Sequence, residues 1–337
     1  MKNLSLIFIM LIFFTLFSCK KETQKLKPEA VASFLVKDNI FELHGEKSTD
    51  PDNDTLTYNW STTSSKITII NGHHSIAKFN NPFLSADETV KIVLTVSDGE
   101  LQDTANVSVD IKGLSKLELW GLGINLQVET SNNKNYEWYY DQLNSGTYAG
   151  ENCGPTAVTM AIKWFNESFA LNPVDARNTY LQSGGWWYTS DIINYLNDKG
   201  VYNKTITLDN IGRLREQIDL GNIAILCLDM YYITYTNNTN YHINKFYMTS
   251  NTGWGHFIVI KGYKVVDSRT YYEVYDPYSM GQTYSDYSMK GKDRYYLDTD
   301  LDEATNIWWK YAIVVSKTAV KGLDQVDPAK IEHRSGR

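Results

Sequence analysis

The chain has 337 residues, with 32 basic and 39 acidic side chains and a formal net charge of −7 at pH 7. This charge balance, without a basic patch, argues against a nucleic-acid partner. A chain of this length predicts about two domains.

The chain begins with an apolar run from Leu4 to Phe17. The run is too short to remain as a membrane span, and it predicts an export signal over residues 1–18. It ends in LFSC, which resembles the lipobox of bacterial lipoproteins. The resemblance implies that Cys19 becomes the lipidated first residue of the mature protein, with residues 19–27 as a polar tether. We therefore expect a lipid anchor in the bacterial cell envelope, at the outer membrane or cell surface; a plain secretory peptide is the alternative.

Residues 28–112 contain short runs of alternating apolar and polar residues, separated by turn-forming residues. This spacing predicts an all-β immunoglobulin-like sandwich. The segments STDPDNDTLTYNW and LTVSDGE resemble PKD-type domains, and the resemblance implies that Trp60 is the core tryptophan. We expect this domain to act as a spacer above the membrane; binding of a sugar or a protein is the alternative.

Three aspartates alternate in the DPDND segment, namely Asp50, Asp52 and Asp54. Alternating carboxylates are typical oxygen ligands, so a structural calcium site is one hypothesis. The other is a hydrated turn in which aspartate and asparagine supply the bend. The sequence has no cysteine and histidine spacing typical of zinc sites, and we expect no catalytic cofactor.

Between residues 113 and 136 the alternation fades and a Ser-Asn-Asn-Lys-Asn stretch occurs. Such a composition predicts a linker. We therefore expect the second domain to span residues 137–316 and a tail to follow over residues 317–337.

The second domain contains the segment NCGPTAVTMA at residues 152–161. Pro155 suits the first turn of a helix, and the apolar residues that follow have helical spacing. Cys153 thus lies at the N-terminus of a buried helix, a position that favours the thiolate form of a cysteine. This predicts a nucleophile; a buried cysteine with no catalytic role is the alternative.

Farther along, the segment GHFIVIKGY predicts a buried strand with His256 at its start. A turn at Asp267 and Ser268 leads to a second β-rich run, which ends in Asp276 and Pro277. A hairpin of the two runs brings Asp276 back beside His256, where a carboxylate can orient the imidazole. A turn-forming aspartate before proline is the alternative for Asp276.

The order Gln142, NCGPTAVTM, GHFIVIKGY and YDP resembles the papain-like cysteine peptidases of the bacteriocin-leader-processing type, family 39 of that class. The resemblance implies an α+β papain-like fold, with helices before the sheet. It implies Cys153 as nucleophile, His256 as general base and then acid, and Asp276 as the orienting residue. Gln142 is implied to form the oxyanion hole with the Cys153 N–H. Since Gln142 lies 11 residues before Cys153, the segment NSGTYAGEN has to loop out.

Two further features of this domain carry predictions. Cys227 lies in the apolar run IAILCLDM and is expected to be a core residue, because a disulfide would consume Cys153. The polar, aromatic stretch from Tyr231 to Gly253 predicts a long loop of the kind that often binds substrate. We expect His242 in this loop to lie at the surface or to contact substrate.

These features predict an envelope-anchored cysteine peptidase that acts on a peptide or protein substrate through a thioester. Three alternatives stay open: peptidoglycan peptides or an isopeptide as substrate, transglutaminase or acyltransferase chemistry on the same scaffold, and an inactive binding module. Leader-processing members of the family usually sit on an ATP-driven exporter. The sequence shows neither a Walker motif nor a transmembrane bundle, so bacteriocin maturation is not expected.

Overall fold

The computed structural model describes residues 24–37, 39–284, 286–308 and 310–320. The chain divides into two compact units at Gly113. The predicted export signal and Cys19 lie outside the described residues, as do residues 321–337 of the predicted tail. Among the residues that are described, no helix combines the length and the apolar character needed to cross a membrane.

The first unit is a β-sandwich. Its strands are β1 (Ser33–Lys37), β2 (Ile40–His44), β3 (Thr57–Thr62), β4 (Ile76–Asn80), β5 (Glu88–Ser97) and β6 (Gln102–Ile111). Strands β1, β2 and β4 form one antiparallel sheet, and β3, β5 and β6 form the other. Alternate side chains of the strands pack in one apolar core, which includes Trp60. The Trp60 indole N–H donates to the His74 carbonyl at 3.1 Å, so the buried ring has its polar atom paired.

The second unit combines helices with one large antiparallel sheet. Its helices are α1 (Lys116–Leu119), α2 (Cys153–Phe165), α3 (Pro173–Thr179), α4 (Thr189–Asp198), α5 (Gly212–Asp219) and α6 (Asp298–Trp308). Its strands are β7 (Leu126–Ser131), β8 (Asn203–Thr207), β9 (Ile223–Asp229), β10 (Gly255–Val266), β11 (Arg269–Tyr275), β12 (Arg294–Leu297) and β13 (Tyr311–Val315). The strand order is β12-β11-β10-β9-β13-β8, and β7 pairs with β10.

Strand β10 is the centre of this sheet because it has three partners. Its first half pairs with β9, its second half pairs with β7, and β11 lies along its other edge. Helix α2 packs on β9 and β10, within one of three apolar cores among the described residues of this unit. The second core contains residues of α5 and α6 together with other residues of the same strands. These two cores therefore hold β10 in place.

Residues 113–136 are not a linker, so that prediction is wrong. Residues Lys116–Leu119 form α1, and residues Leu126–Ser131 form β7, which pairs Val128 with Val265 of β10. The Asp267 carboxylate also accepts the backbone N–H of Ile124 at 2.9 Å. Most β7 side chains are exposed, and an exposed edge strand lacks the strong apolar alternation by which strands are recognised.

The predicted order of helices followed by a sheet is only partly observed. Strand β7 precedes α2, β8 lies between α4 and α5, and α6 follows β12. Strand β8 has the mostly polar sequence NKTIT and lies between the buried residues Val201 and Leu208. Most of β8 is buried as well, but its polar residues do not form an apolar pattern from which the strand could be predicted. Elements of both types are therefore mixed along the chain, although the nucleophile helix still precedes the His256 strand.

Candidate active site

Cys153 is the first residue of α2 and is buried. The residue before it, Asn152, is fully buried and accepts a hydrogen bond from Arg177 Nε at 2.6 Å. The Asn152 side-chain amide donates to the Ser145 carbonyl at 2.9 Å. A Cβ on Gly154 would lie 2.8 Å from Trp187 Cβ, so close packing requires glycine there. These contacts fix the position at which the helix begins.

The hairpin of β10 and β11 brings His256 and Asp276 together. The turn residues Asp267 and Ser268 have φ angles of 48° and 64°, which suit a tight hairpin turn. In the register of the pair, Val259 lies opposite Tyr275, so Asp276 follows just beyond. His256 Nε2 lies 2.7 Å from Asp276 Oδ1, and both side chains are buried.

The Cys153 side chain interacts with the His256 imidazole closely enough to raise its pKa. Because Nε2 of the imidazole lies against Asp276, Nδ1 is the ring nitrogen left for the thiol. Thiol, imidazole and carboxylate thus form one continuous series of contacts. The three residues come from a helix start, a strand start and a strand end, so only the tertiary fold brings them together.

The Asp276 carboxylate accepts four hydrogen bonds from residues that the structure describes. Besides His256, Oδ1 accepts the backbone N–H of Tyr278 at 2.8 Å. Oδ2 accepts the hydroxyl groups of Tyr247 at 2.9 Å and of Tyr296 at 2.6 Å. Burial alone would raise the pKa of Asp276, but His256 and these donors outweigh burial and lower it below its ordinary value. The carboxylate is therefore held in its charged form.

Burial also acts on His256, where it lowers the pKa of the imidazole. The Asp276 charge and the contact with Cys153 act in the opposite direction and are stronger, so the pKa of His256 lies above its ordinary value. Arg177 adds a second positive group, since its buried guanidinium interacts electrostatically with Cys153. The surroundings of the thiol are therefore electropositive, which is typical of reactive cysteines.

Gln142 is also buried, and it lies next to the orienting aspartate. Its backbone N–H donates to the Pro277 carbonyl at 2.8 Å, and its side-chain Nε2 donates to the Ala149 carbonyl at 3.1 Å. The segment that follows forms two 3-10 turns, Gln142–Asn144 and Ala149–Glu151, and leads back to Asn152. The second hydrogen of Nε2 is left for another acceptor.

The sequence patterns did not predict that Tyr247 and Tyr296 contact Asp276. Tyr247 lies in the long loop of residues 231–253, and Tyr296 lies in β12, which the sequence did not mark as a strand of the site. The chain has 24 tyrosines, and nothing in the local patterns distinguishes these two. The loop begins and ends at one carboxylate, because Asp229 accepts the backbone N–H groups of both Tyr231 and Gly253.

His242 is buried, so the predicted surface position is wrong; its contact with substrate stays a prediction. Its ring stacks on Tyr284 at 4.0 Å and on Trp120 at 4.4 Å, measured between ring centroids. Burial lowers the pKa of His242 to about 4. Trp120 belongs to the segment mistaken for a linker, so this packing was not expected from the sequence. Cys227, by contrast, is a buried free cysteine in the core, as predicted, and burial raises its pKa.

In the first unit, carboxylate oxygens of Asp50, Asp52 and Asp54 lie within 4.8 Å of one another. Asp50 Oδ1 accepts the backbone N–H groups of Asp52 and Asp54, each at 2.9 Å. Asp54 pairs with the Lys25 ammonium, and Asp52 Oδ2 accepts the Leu26 N–H at 2.7 Å. These contacts are typical of an acidic turn, whereas Asp50 Oδ2 has no hydrogen-bond partner among the described residues. The calcium site stays a prediction.

No protein-family model matches this chain, and no curated protein matches it either. Solved structures do share parts of it. One, from Bacillus anthracis and described as a C39-like peptidase, covers 58% of this chain and 100% of its own, with 14% identity and a TM-score of 0.40. The PKD1 domain of Vibrio anguillarum Epp covers 27% of this chain and 100% of its own, with 16% identity and a TM-score of 0.21.

A third structure is a nucleoside hydrolase-related hypothetical protein from Saccharophagus degradans that is associated with carbohydrate metabolism. It shares 22% identity with this chain over 27% of the length, with a TM-score of 0.22. The chain spans only 26% of that protein. The structural neighbours thus include PKD domains and a C39-like peptidase, all at low identity.

Proposed function

We propose that this protein is a cysteine peptidase of papain-like fold that hydrolyses peptide bonds. One observation carries the proposal: the Cys153 thiol contacts His256, whose Nε2 lies 2.7 Å from the buried Asp276 carboxylate. A nucleophile, a base and an orienting acid in contact are the arrangement that acyl transfer through a covalent intermediate requires. The packing of α2 on β10 also supports the fold, because it joins the nucleophile helix to the histidine strand.

In the first step, the Cys153 thiolate attacks the carbonyl carbon of the scissile amide and a C–S bond forms. The negative charge moves to the carbonyl oxygen, where the Cys153 N–H and the second Nε2 hydrogen of Gln142 can donate to it. The N–H groups of the first turn of a helix have no intrahelical acceptor, so the Cys153 N–H is available. The His256 imidazolium gives its proton to the leaving amine as the C–N bond breaks.

In the second step, water attacks the thioester while neutral His256 takes its proton. The C–S bond breaks, the carboxylic acid leaves, and the proton on His256 restores the starting pair. Asp276 keeps its charge throughout, since it orients the ring and stabilises the imidazolium without taking the proton.

The proposal is tested by incubating the protein with a diverse peptide library and identifying cleaved bonds by mass spectrometry. We expect cleavage by the wild type and none by Cys153→Ala, whereas Cys227→Ala, which changes the other buried cysteine, should cleave normally. Peptidoglycan peptides and isopeptide-linked peptides, each with and without an added amine, belong in the same assay. Hydrolysis of only the peptidoglycan peptides or the isopeptide-linked peptides would narrow the class of substrate, and incorporation of the amine would indicate acyl transfer. No reaction with the library or with either of these substrates would refute the proposed enzymatic activity.

We also propose where the enzyme works. A lipid on Cys19 would anchor it in the cell envelope, and the sandwich unit would serve as a spacer. Globomycin, which blocks lipoprotein signal cleavage, should cause an unprocessed form to accumulate, and Cys19→Ala should remove the protein from the membrane fraction. A Cys19→Ala protein that stays membrane-bound would contradict the anchor.

A further inference from the structure

A cavity of about 560 Å³ opens beside the residues that flank the proposed active site. Asp141 lines it and directly precedes Gln142. The backbone N–H groups of Ser279 and Gly281, which follow shortly after Asp276, approach the Asp141 carboxylate. Tyr139 also lines the cavity, and its hydroxyl donates to the Asp276 carbonyl at 2.8 Å, so the cavity adjoins the residues that carry the proposed site.

The chemistry of the cavity is set by Asp141. The side chain is buried, with 6% of the residue exposed, and its Oδ1 accepts the Leu143 N–H at 3.0 Å. Its Oδ2 is covered from solvent and has no hydrogen bond of normal geometry to any described residue. Burial removes most of the water that would solvate the charge of this carboxylate, which is costly, and a cation nearby offsets that cost.

The other lining residues suit a cation with an apolar stem. Tyr140 and Tyr287 supply aromatic surface, on which a guanidinium or ammonium group can lie. Glu137 adds a negative charge at the exposed edge, where Lys292 pairs with it at 2.6 Å. Because Glu137 and Lys292 neutralise each other, Asp141 supplies the remaining negative charge among the lining residues.

We propose that this cavity binds the cationic side chain of an arginine or lysine of the peptide substrate. This proposal rests on the proposed peptidase function. The aliphatic stem of that side chain would pack against Tyr140 and Val174, and its charged end would approach Asp141. The cavity is therefore a specificity site for basic side chains beside the proposed oxyanion hole.

The first arm of the test measures binding without turnover. Cys153→Ala protein is titrated with Nα-acetyl-arginine methylamide and with its neutral counterpart, Nα-acetyl-citrulline methylamide, in a calorimeter. We expect the arginine probe to bind about tenfold more tightly, in line with one charge-assisted contact. Adding Asp141→Asn should remove the preference, because asparagine keeps the acceptor for Leu143 and loses the charge. The double variant Glu137→Gln, Lys292→Gln removes the ion pair at the exposed edge without changing the net charge of the cavity, so it is the matched control and should keep most of the preference.

A second pair of variants, at Val174, keeps the proposal testable if Asp141→Asn does not fold. Val174→Lys places an ammonium group in the cavity and should abolish arginine binding, whereas Val174→Met fills similar space without charge and should weaken both probes equally. Circular dichroism and melting temperature confirm that each variant is folded.

The second arm measures kcat/KM for peptide pairs that differ only in arginine or citrulline. We expect the wild type to prefer arginine by about tenfold and Asp141→Asn to cleave both at the citrulline rate. Equal binding and cleavage of both members, unchanged by Asp141→Asn, would overturn the cavity proposal while leaving the peptidase intact. Asp141-dependent arginine binding without any hydrolysis would instead overturn the peptidase and retain a cation site.

Discussion

Removing the Tyr296 hydroxyl tests how the orienting aspartate is held. Tyr296 is fully buried and donates to Asp276 Oδ2 at 2.6 Å. A hydrogen bond to a charged group contributes about 1.5–3 kcal/mol, so Tyr296→Phe should lower the free energy of unfolding by that amount. Tyr139→Phe is a control, because the Tyr139 hydroxyl is buried too but contacts neutral groups, the Asp276 carbonyl at 2.8 Å and the Ser279 hydroxyl at 2.6 Å. The control should cost about 0.5–1.5 kcal/mol for each of these two hydrogen bonds.

The same substitution should change the pH dependence of activity. With one donor fewer, the pKa of the Asp276 carboxyl rises, so the acid limb of kcat/KM should move to higher pH in Tyr296→Phe. Tyr139→Phe should leave that limb in place. Urea unfolding and a pH series of kcat/KM measure the two effects. If Tyr296→Phe leaves the acid limb where Tyr139→Phe leaves it, the tyrosine hydroxyls do not hold the charge on Asp276.

Three other predictions concern the thiol, the ion pair and the two units. At about pH 6, iodoacetamide should alkylate Cys153 far faster than Cys227, because His256 adjoins Cys153 and can take its proton, whereas burial raises the pKa of Cys227; equal rates would count against an activated nucleophile. Asp276→Asn should retain more kcat than Cys153→Ala, and it should cost the most stability between about pH 4 and 6.5. The lowered pKa of Asp276 stabilises the fold above the unfolded-state value near 4, and the raised pKa of His256 stabilises it below the unfolded-state value near 6.5, so the cost should shrink on both sides of that window. A flat difference from pH 3 to 9 would contradict this ion pair. A protein of residues 114–320 should fold and cleave small peptides at nearly the full-length rate, because the candidate site lies wholly in the second unit; a well-folded truncation that loses most of its kcat/KM would show that the sandwich contributes to the site.

Local patterns in the sequence were sufficient to predict the helix that carries the proposed nucleophile and the strand that carries the histidine. The helix that starts at Cys153 follows from its proline and its apolar spacing, and the β10–β11 hairpin follows from two apolar runs around a short turn. Both signals are local, since each depends on residues close together in the chain. The juxtaposition of His256 and Asp276 follows from the hairpin alone.

The same local patterns could not predict contacts between segments that are far apart in the chain. Tyr247 and Tyr296 reach Asp276 from a loop and from β12, and Arg177 reaches Asn152 from α3. Strand β7 was missed because an exposed strand at a sheet edge has little apolar alternation. Each of these features depends on tertiary packing, which residue spacing does not encode.

The most direct test of the account is to map the adduct of a peptide vinyl sulfone by mass spectrometry. The wild-type protein, made from residue 20 onward, and a His256→Ala variant are treated with the reagent near neutral pH. We predict one adduct, on Cys153, formed much more slowly in His256→Ala because that variant lacks the base that takes the thiol proton. A wild-type protein labelled on Cys227, or on Cys153 at the same rate with and without His256, would contradict the proposed cysteine peptidase site.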